Sequence, residues 1–170
     1  MQKIEQETAL KIVKLISHNF LTVLISRDSL IKLGDFYPNV ESRKLAREWF
    51  ALQVFLMVIA ISSYFKDDPV GIKIAQYFRM YIIEGLSEAG VYGSEDEATA
   101  FIKSRLEEYD KKSFGKGENP LMNMSIQFLK FIDQDDALLL VNTGEQISTF
   151  LQTNKKLMEE AGKIAKKSAE

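Results

Sequence analysis

Apolar residues recur along this chain with a period near 3.6 residues, in long segments separated by a few prolines and glycines. No two-residue alternation recurs at regular spacing, so the pattern predicts helices throughout. From about Lys3 to Leu33 one stripe collects Ile4, Ile12, Ile16, Phe20 and Val23, and Gly34 stands where a helix stop is expected, ahead of Tyr37-Pro38. Phe20–Ile25 is prone to β-structure, which makes a strand or a kink the alternative there.

A second helix is expected from Asn39 or Val40 to Phe65, with Asn39 as its cap. Beyond Glu48 it is apolar on every face, with only Gln53, Ser62 and Ser63 as polar members of the run from Trp49 to Phe65. Such a helix must be covered on most sides, so it is read as the centre of the fold. Asp68 and Pro69 cap and open a third helix, whose stripe is Ile72, Ala75, Phe78, Ile82 and Leu86 and whose stop is Gly90. Ser94 and Glu97 fit a capping box for a peripheral fourth helix running to about Lys112. Phe114–Glu118 reads as a Gly-Lys-Gly linker that leaves open a swap of the last helices between subunits. Asn119 and Pro120 start a fifth helix, and Asp133–Asp136 ends it and starts a short helix over Ala137–Val141. Thr143 and Gln146 form a second capping-box pattern, ahead of a last helix from Glu145 to Lys166. The expected fold is all-α: a single-domain bundle of five to six mostly antiparallel helices, spanning residues 1–170, around the apolar helix at about 40–65.

Composition narrows the chemistry. The chain has 170 residues, 46% of them hydrophobic, which excludes a disordered chain and suits one domain. It has no cysteine, so thiolate metal sites and thiol nucleophiles are excluded, and a reducing cytoplasm fits. A single histidine excludes sites that need two. Net charge is −2, with 11 cations against 9 anions in residues 1–84 and 11 against 15 after them. Neither part resembles a basic nucleic-acid-binding arm, so no nucleic-acid partner is expected. Glu5 and Glu7 occupy the place of a basic signal-peptide start. The 17 residues from Trp49 to Phe65 fall short of the roughly 20 needed to cross a bilayer.

Candidate chemistry is sparse. His18 reads as a surface residue rather than a haem ligand. Glu84 and Glu88 share a helix face and Glu48 stands at the mouth of the apolar helix; an acid–base pair needs them in a cleft, and ion pairs with Arg43, Arg47 or Arg79 are the plainer reading. Asp133, Asp135 and Asp136 fail the calcium-loop spacing, because Leu138 and Gly144 fall where glycine and glutamate are needed. No catalytic residue, metal or cofactor is assigned. Aromatic and methionine residues concentrate in the second and third helices. They are read first as core, then as an interface between copies, then as a pocket. The expectation is therefore a non-enzymatic cytoplasmic protein acting through protein contacts as a homo-oligomer. The alternative is a hydrophobic or aromatic small molecule held between the second and third helices by Tyr64, Tyr77, Arg79, Tyr81 and Glu84.

Overall fold

The computed structural model describes residues 2–24, 26–66, 69–113 and 119–169. Seven α-helices occur among the described residues, and no strand. They are α1 (Gln2–Leu24), α2 (Arg27–Phe36), α3 (Ser42–Tyr64), α4 (Pro69–Glu88), α5 (Glu95–Ser113), α6 (Pro120–Phe131) and α7 (Ala137–Ala169). The helical class and the central place of the apolar helix agree with the sequence; the number of helices is higher than the five to six expected.

The extra helix comes from a break in the first segment. Ser26 serves both neighbours: its hydroxyl donates to the Val23 carbonyl at the end of α1 (3.1 Å) and accepts from the Ser29 N–H in the first turn of α2 (3.2 Å). The chain bends by 60° between the two helices. The β-branched run before Ser26 weakens helix continuation there, and the capping hydroxyl completes the break. Gly34, expected as a stop, lies inside α2, which ends instead at Tyr37. The cap of α3 is Glu41, not Asn39; its two carboxylate oxygens accept from the Arg43 and Lys44 N–H groups at 2.8 and 2.7 Å.

Other boundaries follow the sequence closely. Gly90 has φ +73° and closes α4, with its N–H on the Ser87 carbonyl and the Val91 N–H on Leu86. A left-handed residue of this kind is the usual helix stop. Ser94 and Glu97 do cap α5, with the Glu97 carboxylate accepting from Gly93 N–H at 2.7 Å. Asn119 caps α6. Asp133 ends α6 at φ +56° and Asp136 caps α7 through the Leu138 and Leu139 N–H groups, so the acidic turn works as two helix ends. The short helix and the last helix are one: α7 runs unbroken for 33 residues. Thr143 is not a cap but a buried member of α7 whose hydroxyl donates to the Leu139 carbonyl (2.6 Å). The Asp67-Asp68 cap and the Phe114–Glu118 linker lie outside the described residues.

α3 is the hub. It packs against α2, α4, α5, α6 and α7, while α1 lies on α4 and α7. Two hydrophobic clusters form on its sides. One joins α1, α3, α4, α5 and the second half of α7 through Ile16, Phe50, Phe78, Ile102 and Met158; the other joins α2, α3, α6 and the first half of α7 through Leu33, Leu52, Phe128 and Ile147. Trp49, Leu106 and Phe150 border both. The 23-residue α3 is long and apolar enough to cross a membrane by length and composition, with a mean hydropathy of 1.6 over its best window. Most of that window, 61%, is buried among the other helices.

Candidate functional site

The seam between the two clusters is open on one side. There α1, α2, α3 and α7 surround a groove of about 630 Å³. Its apolar wall is aromatic: Phe20 from α1, Phe36 from α2, Trp49 from α3 and Phe150 from α7. Phe20 and Phe150 meet edge to face, with ring centroids 6.2 Å apart. The bend at Ser26 brings α2 to the groove, so that Ser29 and Leu33 complete the wall on that side. The Tyr37 hydroxyl then ties the end of α2 to α7 by donating to Thr143 Oγ1 at 2.8 Å. Burial raises the Tyr37 pKa above the ordinary tyrosine value, and the Thr143 bond opposes part of that rise.

The polar lining consists almost wholly of amides and hydroxyls. Gln53, on α3, is only 7% exposed and borders the groove. Gln146, on α7, has its side-chain nitrogen buried with no hydrogen-bond partner among the described residues. Asn154 is already engaged, donating to the Phe150 carbonyl at 2.8 Å. The two charged lining residues, Lys32 and Glu145, are exposed. The site therefore offers aromatic surface with one buried, unpartnered amide nitrogen beside it, and no buried charge.

The residues picked out by sequence lie elsewhere. Tyr64 ends α3, half-exposed, against Phe65 and beside Gly162 of α7. Tyr77 packs on the first cluster; Arg79 is exposed and reaches back to the Ala75 carbonyl at 3.4 Å. Tyr81 and Glu84 are on the outer side of α4. None of the five lines the groove. The seam between α3 and α4, where the alternative reading put its pocket, is filled by Phe50, Val54, Met57, Ile74, Phe78 and Ile82. His18, Glu84 and Glu88 are exposed. Among the described residues, no three histidine or carboxylate side chains gather as a metal site would need.

Glu48 is buried, but its partner is none of the arginines expected. Arg105 of α5 grips it with two hydrogen bonds, at 2.7 and 2.6 Å. The guanidinium also lies over the Phe131 ring at 4.0 Å and the Phe101 ring at 4.8 Å. Alongside, Arg47 pairs with Glu97 at 2.7 Å and covers the Tyr92 and Phe101 rings. Alternating guanidinium and aromatic groups thus clamp α5 onto α3. A second depression between α3 and α5, about 530 Å³, is shallow and bordered by Lys66, Glu107 and Asp110.

Sequence reasoning missed the two glutamines for different reasons. Gln53 was visible as a lone amide in an apolar run. Gln146 looked like half of a capping box, which hid it. No known protein family, curated protein or solved structure matches the chain.

Proposed function

We propose that this protein is a non-enzymatic binding domain that holds a neutral, mainly aromatic small molecule in the groove between α1, α2, α3 and α7. One observation carries the reading: a cavity of about 630 Å³, within the range of small-molecule sites, combines an aromatic wall with the buried, unpartnered Gln146 amide nitrogen and a bordering Gln53. Amides and hydroxyls orient a ligand but do not exchange protons readily near neutral pH, so the lining suits holding rather than transforming. In this reading α3 is the core helix of a soluble cytoplasmic protein, its apolar length matched by the helices around it.

Assembly into a homo-oligomer is the second reading. The apolar residues of α3 are mostly covered by the other helices and by themselves call for no second copy. What favours it now is the outer face of α4, where Ile72 and Met80 are 69% and 65% exposed. A native mass spectrum of freshly purified protein separates the two. A monomer carrying extra non-covalent mass supports the ligand site. A multiple of the bare chain mass supports assembly, and a bare monomer that stays bare with added aromatic compounds refutes the ligand site.

A further inference from the structure

The groove has more to say about its ligand than size, if the reading of it as a small-molecule site holds. We infer that Gln53 and Gln146 read the ligand, and that the ligand is a neutral planar ring system with an N–H donor and an acceptor side by side on one edge.

The geometry of an amide dictates this. A glutamine side chain presents a C=O acceptor and an NH₂ donor next to each other in one plane. Its full complement is a group with a donor and an acceptor at matching spacing, the pairing by which glutamine and asparagine recognise the adenine edge. Lactam rings and amino-substituted nitrogen heterocycles share that edge. Native structures pair nearly all buried polar groups, so the buried, unpartnered Gln146 Nε2 at the groove asks for an acceptor within it. Gln53, 7% exposed on the apolar α3, borders the same groove and offers a C=O acceptor and an NH₂ donor beside it.

Shape and charge restrict the rest of the molecule. Flat rings suit a wall made of Phe20, Trp49 and Phe150, which favours offset or edge contact with another aromatic face. Lys32 and Glu145 carry opposite charges and are exposed, so no buried charge is present to offset an ionised ligand.

Trp49 makes the test direct. It is the chain's one tryptophan and lines the groove, so a single indole N–H resonance reports occupancy. The labelled full-length protein is titrated with 2-quinolone, which carries the donor–acceptor edge, and with N-methyl-2-quinolone, in which the donor is blocked. The expected result is binding of 2-quinolone about tenfold or more tighter than its N-methyl analogue, since a site built to hydrogen-bond rejects an analogue lacking the group. In Gln53→Leu and in Gln146→Leu the ratio should fall towards one, while binding of the N-methyl compound persists and shows that the fold is intact. Equal affinities in the unaltered protein overturn the edge recognition and leave the groove as a site filled without it. If neither compound moves the indole resonance, the groove reading itself fails.

Discussion

Replacing Glu48 with glutamine removes one negative charge from the interior and leaves its arginine behind. Glu48 is 3% exposed and makes two short charge-assisted hydrogen bonds to Arg105. Breaking a fully buried pair by deleting one partner costs about 3–5 kcal/mol, mostly the cost of the uncompensated charge. Here the Arg105 side chain is 23% exposed, so water reaches part of the guanidinium. The Phe101 and Phe131 rings keep their hold on it, each worth about 0.5–1 kcal/mol when partly wet. The expected loss for Glu48→Gln is therefore about 2–3 kcal/mol, or about 4–12 °C in melting temperature for a chain of this size. Urea denaturation followed by circular dichroism should show a lower midpoint with an unchanged slope. The double variant Glu48→Leu/Arg105→Met removes both charges and should recover most of the loss, because apolar replacement of a whole buried pair is often neutral. A single-variant loss under about 1 kcal/mol, or a double variant as unstable as the sum of its singles, would refute the clamp.

Two further expectations follow from packing and ionisation. Gly71→Ala would put a Cβ 2.5 Å from the Phe65 Cβ and 2.7 Å from the Phe65 carbonyl oxygen. The neighbour is backbone and cannot swing aside, so a loss of about 1–3 kcal/mol is expected in the same denaturation assay, and an unchanged midpoint would count against that close approach. Burial raises the pKa of Tyr37, Tyr92 and Tyr109 above the tyrosine value of 10.0. Their neutral forms thus contribute stability that is complete below about pH 10 and is lost as pH rises from there through the folded-state values. Titrating phenolate absorbance and helix signal together, these three of the six tyrosines should ionise only as helix is lost; six ionising in an intact fold would contradict their burial.

Helix ends were the most legible feature of the sequence, because each needs a particular residue type. Pro120 after Asn119, Gly90 at a left-handed turn and Ser94 with Glu97 all stand where the structure uses them. Reading failed where tertiary contact decides. Gly34 looks like a stop and Thr143 like a cap, yet α2 and α7 run through both positions, and Thr143 turns inward to meet Tyr37. Glu48 illustrates the same limit: its partner is 57 residues away, beyond any local charge pattern. The groove was harder still. Its walls come from residues near 20, 33, 49 and 150, brought together by the bend at Ser26, and the α7 amides that border it share the composition of a solvated helix face.

The small-molecule reading of the groove is tested most directly by energy transfer from Trp49 to a neutral apolar fluorophore, N-phenyl-1-naphthylamine. Thr149 is exposed and lines the groove, so Thr149→Arg narrows the mouth without touching the core. Saturable transfer at one dye per chain, abolished or strongly weakened in the Thr149→Arg protein while its melting temperature holds, is the predicted result. Transfer that never saturates, or that is the same in both proteins, would mean that the aromatic groove is not where the ligand goes.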